Sequence, residues 1–271
     1  MHFVRRHIRA LALSIFFLAP LTAHAQESPT GADWDIHRLV DQKATIATAA
    51  FNNGITLISR CSKGVFDLIL TGLPSASGKE SSRLLTLVLD NNVDPKPSSW
   101  LVGEDRTVAF SQIPAMLARQ LATGGHLEII APAEPGGRRT RYIMELTRSG
   151  SAIEETLNAC DRPLVDPRDL VLQGDGGALP DGIIWTRLPR PNFPNGGTAR
   201  AGYVTLSCLA GAEGRAQDCQ VESEQPPGAN FARAALRSMD AARLGLTDQA
   251  IAAGRPAPSG LIVFTISFRL E

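Results

Sequence analysis

Apolar and polar residues alternate in short runs through the first half of the chain, a pattern typical of strands that bury one face. The alternation predicts strands at 34–40, 44–51, 55–61, 65–73, 83–90, 100–103 and 107–112, and a strand pair at 126–132 and 139–147. Asn52-Asn53-Gly54 lies between two of these segments and predicts a tight hairpin, because Asn and Gly accept a positive φ at low cost. We therefore expect a mostly antiparallel sheet.

Two short helices are predicted in the same region. Pro114 suits the first turn of a helix that continues to about Thr123 and ends at Gly124-Gly125. Ser151 predicts the N-cap of a second helix, and Glu154 would complete a capping box. That helix would carry Ile153, Leu157 and Cys160 on one side. These elements together form a predicted β-rich domain over residues 26–161.

The composition changes in the middle of the chain. Residues 162–189 hold Pro163, Pro167, Pro180 and Pro189 together with a glycine-rich run at 174–177. This density of proline and glycine is typical of a linker. We therefore expect a linker at 162–189 and a second domain at 190–271.

The second domain begins with a predicted hairpin. Side chains alternate along a strand, so Val204, Leu206 and Cys208 share one face of its first strand. A register that sets Cys208 opposite Cys219 buries a coherent row and places the two cysteines within reach of a disulfide. The other pairs of this register are Leu206 with Val221 and Val204 with Ser223.

A helix and a last strand complete the second domain. Asn230 predicts the helix cap. The buried face of the helix would carry Phe231, Ala235, Met239 and Ala242, and its outer face Arg233, Arg237 and Asp240. The last strand would place Ile262, Phe264, Ile266, Phe268 and Leu270 inward and Thr265, Ser267 and Arg269 outward. The predicted fold class is α+β, with a small ββαβ domain after the β-rich one.

The first 25 residues have the features of a secretory signal. Arg5, Arg6 and Arg9 precede an apolar run at 10–19, and Ala23-His24-Ala25 is a small-x-small cleavage site. The run is shorter than the roughly 20 residues of a membrane-spanning helix, although an uncleaved anchor is the alternative. Cleavage before Gln26 would leave 24 basic against 27 acidic residues, which gives no basis for nucleic-acid binding.

All four cysteines lie after the predicted signal, and an even number in an exported chain favours disulfides. Cys61 on a strand and Cys160 at the end of the second helix form the expected long-range pair, with two free buried thiols as the alternative. Cys208 with Cys219 is the expected pair within the hairpin.

Few residues could support catalysis or hold a metal. His37 and His126 are the only histidines after the signal, and about 90 residues separate them. Asp90 to Asp94 has the acidic alternation of a calcium loop, but Pro95 stands where that loop needs Gly. A polar turn is the expectation there.

The other sequence patterns that could indicate a catalytic or binding site also lack a required feature. The glycine-rich run at 174–177 follows no convincing strand, so it lacks the context of a phosphate loop. The acidic pairs Glu104-Asp105 and Glu154-Glu155 are sequence neighbours whose side chains would diverge. No Gly-x-Ser-x-Gly elbow is present. We therefore predict a non-enzymatic protein without catalytic residues, cofactor or metal.

The segment 190–271 resembles the TonB C-terminal domain family. The residues that carry the resemblance are Pro191-Asn192-Phe193-Pro194, Gly202-Tyr203-Val204-Thr205-Leu206, Gly214-Arg215, Val221 to Glu224, Phe231 with Ala234-Ala235-Leu236, and Leu261 to Leu270. The cysteine pair within the hairpin is similar to a periplasmic subgroup of that family. The segment at 245–259 departs from the pattern, because it lacks the usual Trp-x-Phe/Tyr-x-Pro ending of the helix.

The resemblance implies a domain that binds a partner by adding a strand at an exposed sheet edge. The expected edge is the last strand, through Leu261, Val263, Thr265, Ser267 and Arg269. The expected partner is an envelope protein, of the outer membrane or elsewhere in the envelope, or a second copy of the chain. The expected location is the periplasm of a Gram-negative bacterium.

Two other functions remain open from the sequence. An energy transducer for outer-membrane transport would need an uncleaved signal as its anchor, and the chain lacks the long stalk of such proteins. An envelope enzyme or ligand-binding protein would need its site in the first domain. A mature N-terminus at Gln26 would exclude the transducer, and a pocket with convergent polar groups would support the ligand-binding protein.

Overall fold

The computed structural model describes residues 33–90, 97–132, 138–147, 150–170, 179–195 and 199–270. The predicted signal at 1–25, the polar turn after Asp90 and the glycine-rich run at 174–177 lie outside these residues. In the described part of the chain, no helix has both the length and the apolar character needed to cross a membrane.

A nine-stranded antiparallel sheet accounts for most of the first half of the chain. Its strands are β1 Asp35–Leu39, β2 Ala44–Ala50, β3 Thr56–Ser62, β4 Val65–Thr71, β5 Ser82–Leu89, β6 Pro97–Val102, β7 Ala109–Ser111, β8 Gly125–Ala131 and β9 Thr140–Leu146. The order across the sheet is β1-β2-β3-β4-β7-β6-β5-β8-β9. This arrangement confirms the predicted antiparallel sheet and the hairpin at Asn52-Asn53-Gly54.

Hydrogen bonds join the β9 end of this sheet to the residues before β1 and to the β2–β3 turn, so the sheet is curled. The Thr147 hydroxyl donates to Asp33 over 3.2 Å, and the Asn53 amide donates to the Ile143 carbonyl over 3.3 Å. The helices α1 Pro114–Leu121 and α2 Ser151–Asn158 pack against the sheet and against each other. Their apolar faces and the inner strand residues form one continuous core.

The predicted capping box at Ser151 is wrong. Gly150 is the N-cap of α2, and Ser151 is the first helical residue. A Cβ on residue 150 would lie 2.7 Å from the Ala122 carbonyl oxygen, just past α1. The close approach of the end of α1 therefore requires glycine at the start of α2.

The C-terminal part of the chain forms two smaller sheets. Its elements are β10 Ile183–Arg187, β11 Ala201–Ala210, β12 Ala216–Gln225, α3 Phe231–Ser238, β13 Arg243–Leu246, α4 Asp248–Ala252 and β14 Gly260–Arg269. One sheet has the order β12-β11-β14, and the other pairs β10 with β13. The α+β class is thus confirmed. β10 lies within the segment predicted as a linker, and β13 and α4 had no predicted counterpart.

Aromatic residues organise the second core. Phe231 of α3 packs against Phe193 and Phe268, with ring centroids 5.4 and 4.7 Å away, and Trp185 of β10 packs edge-on against Phe264 at 5.0 Å. The predicted buried faces of α3 and β14 are confirmed, except that Leu270 is 53% exposed. Leu270 lies beyond Arg269, the last paired residue of β14, so no helix covers it.

The predicted hairpin register is correct at Leu206 with Val221 and wrong at Val204, which faces Glu224. The ladder shifts between Thr205 and Leu206, so one extra residue enters β12. Glu222 is that residue, and its carboxylate accepts a hydrogen bond from the Ser207 hydroxyl.

Asn230 lies at the N-cap position of α3, as predicted, but its side chain makes no cap hydrogen bond. Its backbone is left-handed, with φ of 66°. The buried carboxylate of Glu224 takes this role, because it accepts from the backbone N–H of Ala232 over 3.0 Å and of Gly228 over 3.1 Å. The bulge in β12 thus accompanies a carboxylate placed at the positive end of α3.

Candidate partner-binding edge

The strand β14 is the longest uninterrupted edge among the described strands. It pairs with β11 over ten residue pairs, from Ala201 with Arg269 to Ala210 with Gly260, and the register has no shift. No other described strand pairs with β14 on its second side. One row of backbone groups of β14 therefore faces away from the sheet.

The register determines which residues form that row. Residues of an antiparallel ladder alternate between those bonded to the neighbour and those whose N–H and C=O face outward. The Leu270 N–H donates to the Arg200 carbonyl over 2.9 Å, in step with the ladder. The even-numbered residues of β14 are therefore bonded to β11. The outward residues are Leu261, Val263, Thr265, Ser267 and Arg269, the same set that we expected at the binding edge.

The side chains of the outward residues differ along the strand. Leu261 and Val263 are buried, and Val263 packs against Ile113 and Met116 at the start of α1. Thr265 is half-buried, and its hydroxyl lies 2.9 Å from that of Thr205. The end of β14 near α1 is therefore apolar, and its side chains are already buried within the protein.

The other end of β14 is polar and exposed. Ser267 and Arg269 are exposed, and the neighbouring Arg200 is exposed as well. Arg200 is the residue opposite Leu270 in the ladder. Two guanidinium groups thus give this end of the edge a positive charge.

The nine-stranded sheet covers the outer face of the three-stranded sheet. Thr205, Ser207 and Ser223 on that face are buried. The Ser223 hydroxyl donates to the Gln112 carbonyl over 3.4 Å, and Arg162 donates to the Val221 carbonyl. These hydroxyl-bearing positions look solvent-facing in the sequence, but they line an internal contact between the sheets.

Asp67 is the most buried carboxylate of this contact, at 2% exposure. It accepts hydrogen bonds from Arg60 over 2.6 Å and from the Gln225 amide over 2.7 Å. Burial raises the pKa of Asp67, and the bonds from Arg60 and Gln225 oppose that shift. Asp67 therefore ties β4 to the end of β12, a role that its place in an apolar strand did not reveal.

Both predicted disulfides are present. Cys61 and Cys160 join β3 to the second residue after α2, with Cα atoms 5.6 Å apart. Cys208 and Cys219 join β11 to β12, with Cα atoms 4.1 Å apart. The second disulfide crosslinks the strand on which β14 pairs, so it stiffens the sheet that presents the edge.

The residues weighed for catalysis are not brought together. His37 is exposed on β1, and His126 on β8 contacts Glu145 with Nδ1 2.8 Å from Oε1. Among the described residues, no three His, Cys, Asp or Glu side chains are grouped to hold a metal ion.

Two of the predicted solvated carboxylates have local partners. Thr107 donates to Asp105 from its backbone N–H over 2.9 Å and lowers the pKa of that carboxyl. Arg38 donates to Glu155, which lowers the pKa of Glu155 and raises that of Arg38. These local contacts account for the lowered pKa of both carboxylates.

Comparison of the chain with models of known protein families, with curated proteins and with solved structures finds no match.

Proposed function

We propose that this chain is an exported, non-enzymatic binding protein of the Gram-negative periplasm, which holds an envelope partner at the outward edge of β14. The partner would supply an extended segment that pairs with β14 through backbone hydrogen bonds. The C-terminal part would then be a TonB C-terminal domain of the disulfide-containing periplasmic subgroup, with β11, β12, α3 and β14 as its ββαβ core.

The observation that carries this proposal is the second side of β14, which pairs with no described strand. Long regular edges are a liability because they promote aggregation, and proteins usually shorten, bend or cover them. β14 has ten residues, no register shift and no proline. An edge of this kind suits a protein that uses it for pairing.

Two further observations support an exported protein. The disulfides Cys61–Cys160 and Cys208–Cys219 are typical of oxidising compartments. The N-terminal pattern of basic residues, an apolar run and a small-x-small site is typical of export through the inner membrane.

The edge is tested with Thr265→Pro. The Thr265 N–H faces away from β11, so proline at this position removes an outward donor and leaves the bonds to β11 in place. We expect the tagged variant to lose the partner that the wild type captures from envelope extract, with its unfolding temperature nearly unchanged.

Thr265→Val is the matched control. It removes the hydroxyl contact with Thr205, as proline does, but it keeps the backbone donor. We expect Thr265→Val to capture the partner as the wild type does. If a folded Thr265→Pro variant also captures it, the edge is not the binding site.

The same variants distinguish a second copy from a different partner. If the edge joins two copies, sedimentation of the purified wild type will show a dimer that Thr265→Pro abolishes.

N-terminal sequencing of the protein from the periplasm separates a binding protein from an anchored energy transducer. A start at Gln26 would exclude the transducer.

A further inference from the structure

A wide groove opens at the end of the curled sheet farthest from the Asp33–Thr147 contact. It has a volume of about 970 Å³ and lies between the β1–β2 connection, the β3–β4 turn and the end of α2. This volume is at the upper end of the range of small-molecule sites, which is roughly 300–1,000 Å³. The predicted edge function does not use this groove.

The apolar part of the groove has a buried floor and an exposed lip. Ala44 and Cys61 line it and are buried, whereas Leu39 is 38% and Val40 84% exposed. A single exposed apolar side chain is ordinary on a protein surface. Two adjacent ones at the mouth of a groove offer apolar area that a ligand could cover.

Two lysines face each other at the same mouth. The Lys63 N–H donates to the Lys43 carbonyl over 3.0 Å, one step beyond the Ala44–Ser62 pair, so the two residues are directly opposed. Like charges in this position destabilise a strand pair. Both lysines also have a left-handed backbone, with φ of 50° and 52°, which is uncommon for residues other than glycine.

The ammonium groups of these lysines have no hydrogen-bond or ion-pair partner among the described residues. Arg38 lines the groove too, but Glu155 partly neutralises it. The lining residues include one carboxylate, Asp41, against these three cations. An anionic group placed between the two lysines would offset the local cost of their opposition.

We propose that this groove binds a single-chain amphiphile with an anionic head group, such as a long-chain carboxylate. The alkyl chain would cover Leu39 and Val40 and lie along Ala44 and Cys61, and the head group would lie between Lys43 and Lys63. The same chemistry occurs in a free fatty acid and in an anionic membrane lipid. No covalent step is involved.

The test is calorimetric titration of the disulfide-bonded mature chain with decanoate below its micelle concentration. We expect saturable binding at one site. Decyltrimethylammonium, which has the same alkyl chain and a cationic head, should bind at least about tenfold more weakly. Acetate, which has the head group without the chain, should not bind. Equal affinity for the two alkyl ligands, or no saturable binding of decanoate, would overturn the proposal.

Asparagine is the appropriate replacement for the lysines, because it removes the charge and tolerates the left-handed backbone. We expect the double variant Lys43→Asn, Lys63→Asn to bind decanoate about tenfold more weakly, from the loss of two exposed charge interactions. Val40→Asn should weaken binding several-fold through lost apolar contact. The controls Lys79→Asn and Val165→Asn alter an exposed lysine and an exposed valine that do not line the groove, and should bind as the wild type does.

A structural role of the lysines gives a different result. Ala159 at the end of α2 lines the groove, and cations near a helix C-terminus stabilise the helix. If that is their only role, the double variant will unfold at a lower temperature and bind decanoate unchanged, which refutes the proposal.

Vesicles distinguish the two sources of the ligand. Binding of decanoate and of phosphatidylglycerol vesicles, but not of phosphatidylcholine vesicles, supports a membrane lipid. Binding of decanoate alone supports a free amphiphile. Binding of the anionic vesicles without binding of decanoate would mean a membrane-docking surface and would overturn the groove as a ligand site.

Discussion

The carboxylate of Glu224 gives the sharpest stability prediction, because one buried side chain determines the start of α3. Glu224 is 5% exposed and accepts the N–H groups of Gly228 and Ala232. Glu224→Ala removes both bonds and the charge, and it leaves the two backbone donors without their carboxylate acceptor. Neither Asn230 nor any other predicted cap replaces it.

The magnitude follows from the two bonds and the helix charge. Hydrogen bonds to charged groups contribute about 1.5–3 kcal/mol each, and a carboxylate at a helix N-terminus adds up to about 2 kcal/mol. These contributions overlap, so we expect Glu224→Ala to lower the free energy of unfolding by about 3–4 kcal/mol. Glu224→Gln keeps one acceptor oxygen without the charge, and we expect a loss of about 1–2 kcal/mol.

Urea denaturation at neutral pH measures both losses, provided that the m-value is unchanged. Glu213→Ala is the control, because Glu213 is an exposed glutamate in the β11–β12 turn, and its loss should stay within about 0.5 kcal/mol. The proposed cap would be refuted if Glu224→Ala cost less than about 1 kcal/mol. It would also be refuted if Glu224→Gln were as destabilising as Glu224→Ala.

Two further changes test the crosslinks and the contact between the sheets. Replacing Cys61 and Cys160 by Ala should lower the free energy of unfolding by about 3–5 kcal/mol. The same change at Cys208 and Cys219 should cost less, because the paired cysteines are 11 rather than 99 residues apart in the sequence. Equal losses in urea denaturation would contradict this account. Burial raises the pKa of Asp67, so the folded state binds a proton at this carboxyl more readily than the unfolded state does. The stability that this group contributes therefore falls as the pH rises through the raised pKa. The stability of Asp67→Asn relative to the wild type should therefore rise as the pH is raised above the ordinary pKa of an aspartate, when both are unfolded in urea. The opposite trend would mean that the arginine partner dominates.

The period-two alternation was sufficient to predict these strands and their mostly antiparallel pairing, because most of them bury one face against a core formed by nearby sequence. The order of the strands across the sheet was not predicted. The buried faces of α3 and β14 were predictable for the same reason. Phe231 and Ala235 recur at helical spacing, and Ile262 to Phe268 alternate strictly. Both disulfides followed from this placement of the cysteines.

The strands β10 and β13 lacked such a signal. They have five and four residues, and Ile183 pairs with Leu246 across more than sixty positions of sequence. Their order comes from packing on the second core, where Trp185 contacts Phe264. Local pattern cannot reveal a pairing that depends on such distant residues.

The bulge in β12 and the contact between the sheets could not be predicted from the sequence, because both involve polar residues. Glu222, Ser223 and Glu224 are consecutive polar residues, so an inserted residue leaves the apolar pattern unchanged. Thr205 and Ser207 fit an exposed strand face equally well. They are buried on the side of the sheet where β4 and α1 contact the neighbouring β12. Their hydroxyl groups find partners within the sheet, Thr205 with Thr265 and Ser207 with Glu222.

The burial of that face restricts how a partner can reach the three-stranded sheet. α3 and β10 cover its inner face, and α1 and β4 cover its outer face. A partner at this sheet can therefore bind only along an edge, where backbone groups supply most of the affinity. Under the proposed edge binding, sequence preference would come from exposed side chains such as Arg269, because Ile113, Met116 and Val263 are already buried against one another. A segment with an acidic residue near Arg269 would therefore fit the proposed edge best.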